Sequence, residues 1–150
     1  MFGGMPLPEF NDFGDLPEEK HPASLAEIVA RFGSGTVQRA TVTDRLRRIY
    51  QLAAATGYLD RLVIVGSYVL DGNEPNDVDV ILVMRNEFRS EDCPEDSSIL
   101  FDHALANDEL GASIFWLRPD MLLGEPLEQF LAFWQTKRDG RRRGIVEIRP

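Results

Sequence analysis

Apolar residues recur along this chain at two spacings, and the switch between them predicts the elements. Leu25, Ile28, Val29 and Phe32 fall on one side of a 3.6-residue period. They follow Ser24 and Glu27, a capping-box pair whose side chains satisfy the first free amides of a helix, and Gly33 stops the helix. Val42, Leu46, Ile49 and Ala53 predict a second helix from about Thr41 to about Thr56, with Arg45, Arg47 and Arg48 mostly outside and Gly57 closing it. The period then shortens. Leu62 to Val65 reads as a strand, residues 68–71 as a helical turn, residues 72–76 as a polar turn, and Asp77 to Met84 as a second, buried strand. A polar, acidic loop surrounds Cys93-Pro94. Ser97 or Ser98 is placed to cap a helix reaching about Asn107. Ala112 to Leu117, short and bulky between Gly111 and Pro119, is a third strand. Leu127, Phe130, Leu131 and Trp134 predict a helix over about Leu127 to Thr136, and Ile145 to Ile148 an edge strand after the Asp139-Gly140 turn.

Helices alternating with short strands give an α/β fold, a small mixed sheet flanked by helices. Residues 1–22 form an irregular N-terminal arm, rich in proline and glycine, ahead of a single domain over residues 23–150. Phe10, Phe13 and Leu16 are placed to pin the arm onto the domain; a mobile tail fits the same composition equally well. A chain of 150 residues, 43% hydrophobic, suffices for one domain with a real core. The formal net charge of -9 repels phosphate backbones, which argues against broad nucleic-acid binding. With one cysteine, Cys93, and two distant histidines, His21 and His103, a disulfide is excluded within the chain and a zinc site disfavoured. No long apolar run and no basic-then-apolar leader is present, so the expected location is cytoplasmic, with no membrane contact.

The chemistry concentrates in residues 64–80. One strand ends in Gly66-Ser67, and nine residues later Asp77-Val78-Asp79 opens the next strand. Side chains alternate along a strand, so Asp77 and Asp79 project to one side, roughly 6.6 Å apart at the backbone. Two such carboxylates converge on a hard cation, and Mg2+ suits them because it takes oxygen ligands and is commonly shared with substrate phosphates. Val78 and Val80 face the core. Gly66 permits a sharp turn and a close approach of phosphate to backbone, Ser67 adds a hydroxyl, and a helical turn beginning there would offer free amides to an anion. Taken singly, a Gly-Ser after a strand is most often a plain turn, and two aspartates at period two the solvated face of an edge strand. Their combination ahead of a buried strand favours a site.

Val65-Gly66-Ser67 followed by Asp77-Val78-Asp79-Val80 resembles the signature of the nucleotidyltransferase superfamily that includes DNA polymerase beta and the minimal nucleotidyltransferases. The helix-strand-strand-helix-strand order of residues 41–117 fits that superfamily's minimal core. More loosely, Phe10-Asn11, Leu16-Pro17, Arg31-Phe32, Arg138-Asp139-Gly140 and Gly144-Ile145-Val146 resemble small stand-alone prokaryotic nucleotidyltransferase-like proteins. The resemblance implies a bound nucleoside triphosphate (ATP first among them), magnesium, and transfer of a nucleoside monophosphate to a hydroxyl. It gives Gly66 and Ser67 the phosphates, and Asp77 and Asp79 the metal and the catalysis. It also implies a third carboxylate on the next core strand. Here that strand, Ala112-Ser113-Ile114-Phe115-Trp116-Leu117, has none, and the expected position falls at or near Ser113. Asp102, Asp108, Glu109 and Glu147 are the available substitutes, and their spacing selects none of them.

Lys137, Arg138, Arg141, Arg142 and Arg143 form a basic cluster in an acidic chain. It reads as a solvated, charge-rich turn, or as a grip on triphosphate, RNA or an acidic partner. The aromatic residues Phe115, Trp116, Phe130, Phe133 and Trp134 suit a core better than an adenine pocket. His103 reads as structural. Three functions remain: a transferase moving AMP from ATP to a protein or small-molecule hydroxyl, with a partner protein as acceptor by analogy to antitoxins of this superfamily that modify a toxin; a catalytically inactive nucleotide-binding or protein-interaction module; and a nucleic-acid binder working through the arginine cluster.

Overall fold

The computed structural model describes residues 7–71, 74–137 and 139–150. The strands are β1 (Lys20–Pro22), β2 (Leu59–Val65), β3 (Val78–Met84), β4 (Ala112–Leu117) and β5 (Ile145–Ile148). The helices are α1 (Leu25–Phe32), α2 (Val37–Ala54), α3 (His103–Leu110) and α4 (Leu127–Phe133). The strands form one mixed sheet in the order β1-β5-β2-β3-β4. β3 runs antiparallel to β2 and parallel to β4, and β5 lies between β2 (antiparallel) and β1 (parallel).

Strand alternation divides the core into two layers. On one face Leu62, Ile64, Val80, Leu82, Ile114 and Val146 pack with Ile28 and Phe32 of α1, Val42, Leu46 and Ile49 of α2, and Ala106 of α3. On the other, Val63, Val65, Ile81, Val83, Leu117 and Ile145 pack with Leu131 of α4. Helices on both sides leave β3 buried along almost its whole length, which is why its sequence reads as an unbroken apolar run. The short α4 cannot cover all of its face, and the polar residues Asp79 and Ser113 occupy the uncovered part.

Several local expectations hold. The capping box at Ser24 and Glu27 is formed in both directions. Others shift for identifiable reasons. α2 starts four residues before Thr41, because the Thr36 hydroxyl accepts from Arg39 N and caps it there. The helix expected after Ser97 is two pieces. Glu95–Phe101 is a 3-10 segment, and Asp102 then breaks the chain and caps α3 by accepting from Leu105 N. The strand over 145–148 is interior, since β1 supplies the edge.

That edge comes from the arm, whose described part is pinned. Leu16 is fully buried in the core. Arg31 donates to the carbonyls of Leu7 and Pro8 and lies 4.6 Å from the Phe10 ring centroid. Phe13, by contrast, stays 63% exposed. Gly144 N donates to Leu16 O, and a Cβ at Gly144 would strike Pro17 O and His21 Nε2, so only a glycine lets β5 enter against the arm.

Candidate functional site

β2 and β3 are paired with Val65 opposite Asp79, and the chain leaves β2 through a 3-10 turn, Gly66–Val69. Gly66 has φ 79°, in the left-handed region that disfavours side chains, and a Cβ there would collide with Asp79 Oδ2. The glycine corner and the second carboxylate are therefore in direct contact. Four residues of 3-10 turn are too few for the helix-terminus field expected at Ser67. The turn instead offers the half-buried Gly66 and the half-buried Ser67 hydroxyl.

The corner is held from behind. Arg39 of α2, 8% exposed, donates to the carbonyls of Phe32, Tyr68 and Leu70 at 3.2, 2.9 and 2.8 Å. Tyr68, fully buried, shares a 2.6 Å hydrogen bond with the Thr43 hydroxyl. The loop is fastened at its far end too, where Asp71 N donates to Gly14 O of the arm.

Asp77 and Asp79 are half-buried neighbours bracketing Val78. Burial pushes the Asp79 carboxyl above its ordinary 3.8, and the charge of Asp77 pushes it further; the Ser113 hydroxyl and the charge of Arg143 oppose the rise. Ser113 pairs with Asp79 across β3 and β4, and its hydroxyl makes a long contact of 3.5 Å to Asp77 Oδ2. It is thus within reach of both acids, at the place where the resemblance asks for a third.

None of the four candidate substitutes is free for that role. Asp102 caps α3. Asp108 and Glu109 line a separate cleft of about 460 Å³ with Asp44, Arg45 and Arg48. Glu147 is buried and paired with Arg61 at 3.3 Å and Arg149 at 3.2 Å. Among the described residues, no group of three histidine, cysteine or acidic side chains could hold a metal ion. Two adjacent carboxylates with hard oxygen donors nonetheless fit magnesium, which usually takes one or two protein carboxylates and completes its shell with phosphates and water.

A cleft of about 560 Å³ opens beside Asp79, lined by Ser67, Leu70, Asp79, Thr136, Lys137, Asp139 and Arg143; Asp77 and Gly66 are not among its lining residues. Its second wall is the C-terminal hairpin, in which Thr136 bridges Arg142. The basic cluster is therefore more than a solvated turn. Lys137 and Arg143 border the cleft, whereas Arg141 and Arg142 point outward. Arg138 lies outside the described residues. Sequence reasoning named Lys137 and Arg143 within the basic cluster without separating them from Arg141 and Arg142, and it missed Arg39, whose position depends on contacts with the distant turn after β2. Phe115, expected in the core, is 44% exposed, between His103 and Trp134 at ring-centroid distances of 4.9 and 5.5 Å.

Among the described residues no helix is long and apolar enough to cross a membrane. No curated protein and no solved structure matches the chain. A family profile matches residues 8–149, from within the arm to the end of the sheet, and the chain accordingly belongs to DUF6932, a family of unknown function.

Proposed function

We propose that this protein binds a nucleoside triphosphate with magnesium in the cleft between the Gly66 corner and the C-terminal hairpin, and transfers the nucleoside monophosphate to a hydroxyl of a protein or small molecule: the acceptor oxygen bonds to the alpha phosphorus, the alpha-beta anhydride bond breaks, pyrophosphate leaves and the hydroxyl proton passes to solvent. The observation that carries the reading is the contact between Gly66 and Asp79, with Asp77 alongside, at the mouth of a cleft bordered by two cations. Asp77 and Asp79 would hold the metal, which when bound supplies neutralisation of the charge that builds up on the transferring phosphoryl group. Gly66 leaves room for the Asp79 carboxylate against the corner, and Ser67, which lines the cleft, would donate a hydroxyl hydrogen bond to the phosphates. Arg39 keeps the corner in one shape before the ligand arrives, so less order must be imposed on binding.

Ser113 favours a second reading. A hydroxyl at the third position holds the two acids but is a poor proton acceptor, so an acceptor alcohol would have to be activated by another group. In that reading the protein is a metal-dependent nucleotide-binding module, and a partner reads its loaded state.

Incubation with alpha-labelled ATP, magnesium and co-purified or co-expressed proteins tests the first reading. Label should pass to an acceptor, and Asp77→Asn and Asp79→Asn should each abolish transfer. Magnesium-dependent ATP binding without transfer to any acceptor supports the module. Absence of ATP binding in calorimetry, with and without magnesium, overturns both.

A further inference from the structure

The hairpin carries its cations in two environments. Lys137 Nζ binds both carboxylate oxygens of Asp15, at 3.1 and 3.0 Å, and Asp15 is 1% exposed. Arg141 pairs with Asp139 at 2.9 Å and lies over the Phe13 ring, 4.1 Å from its centroid. Arg142 pairs with Glu18 at 2.9 Å and donates to Thr136 Oγ1 and Ala132 O. Three cations are thus tied to groups of the arm and the hairpin itself.

Arg143 differs. Among the described residues it has no acidic partner within ion-pair distance, and its buried Nε has no hydrogen-bond partner. Its backbone is fixed, with N donating to Gln135 O at 2.7 Å and O accepting from Gln135 Nε2 at 3.4 Å. The following residue is locked against Leu16. Held at its backbone, this guanidinium lines the same cleft as Ser67 and Asp79. A planar guanidinium with no acidic partner matches two oxygens of a phosphate at once.

We propose that Arg143 is the residue that grips the phosphates of the incoming ligand, in the cleft that Asp79 also lines. This rests on the nucleotide reading and adds the second half of the site: metal-holding carboxylates from β3, and an arginine from the C-terminal hairpin. Lys137 contributes charge but stays engaged with Asp15. The ligand class that satisfies both halves is a polyphosphate carried with a divalent cation, so affinity should depend on the number of phosphates more than on the base.

Calorimetry of the full chain with magnesium and either ATP, AMP or inorganic tripolyphosphate tests this. Arg143→Gln should weaken ATP and tripolyphosphate by about tenfold to a hundredfold, as loss of a charge-assisted hydrogen bond implies, and AMP by less. Arg143→Lys should recover part of the loss, and Arg149→Gln should bind as the wild type does. If Arg143→Gln unfolds, the comparison is made with Arg143→Lys, which must still bind ATP more weakly than the wild type. ATP affinity within twofold of wild type in the variant that folds, while Asp79→Asn loses magnesium-dependent binding, overturns the role of Arg143 and leaves the nucleotide reading standing. Wild-type protein that takes up neither ATP nor tripolyphosphate overturns both.

Discussion

Asp79 sets the energetics of the site at the scale of a single residue. Burial, and after it the neighbouring Asp77, raises its carboxyl above the ordinary range. A raised folded-state value means that the stabilising contribution is complete below the ordinary value and is lost as pH rises through the folded one. Ionised Asp79 therefore costs the fold stability at neutral pH. Asp79→Asn should melt a few degrees above the wild type at pH 7, and the gap should close as pH falls toward 4, read by thermal denaturation across a pH series. Equal melting temperatures throughout would mean that the acidic pair is unstrained. If the proposed site holds magnesium through the ionised carboxylate, metal-dependent ATP affinity should fall over the same acidic window. The pair was legible in the sequence because strand alternation forces Asp77 and Asp79 to one side. Arg143 was legible only as one member of a basic cluster, because its place in the cleft with Ser67 follows from how a distant hairpin docks.

Between elements, the decisive connection is Arg39. One side chain of α2 joins the end of α1 to the turn after β2 through three carbonyls. A buried cation satisfied only by carbonyls costs more to leave half-bonded than to remove. Arg39→Lys, with fewer donors and no fork, should destabilise the fold by about 2–4 kcal/mol in urea unfolding and loosen the Gly66 corner. ATP affinity should fall in step, measured at a temperature where the variant is fully folded. Unchanged affinity there would separate the support of the turn from its function. The elements themselves were readable to different degrees. α1 announces itself by its own capping box. The break between the 3-10 segment and α3 is hidden, because Asp102 follows a run of residues compatible with a continuous helix. β5 looks like an edge because a four-residue strand carries no mark of its partners.

At the scale of the molecule the arm closes the structure. It supplies the edge strand β1, the core residue Leu16, a hydrogen bond to the loop after the glycine corner, and acids that hold the hairpin. Deletion of residues 1–18 should broaden the melting transition and weaken ATP binding even though Ser67, Asp77, Asp79 and Arg143 all remain. Calorimetry and thermal denaturation of the truncated chain check this, and a truncation that binds ATP as the full chain does would show the hairpin to be self-supporting. Alternating helices and strands predicted the α/β class from sequence. The enclosure of the cleft was not visible, since it depends on ion pairs between the two ends of the chain.

The slot filled by β5 has a consequence for biosynthesis. While the polypeptide leaves the ribosome, β1 and β2 emerge early and must wait, unjoined, until residues 145–148 are made and slide between them. From residue 65 until residue 145 is made the nascent chain carries two open ladders, and those ladders are where a chaperone would find it. Arg143 reaches the cleft in that same step, so nucleotide capture should begin only when the sheet is whole.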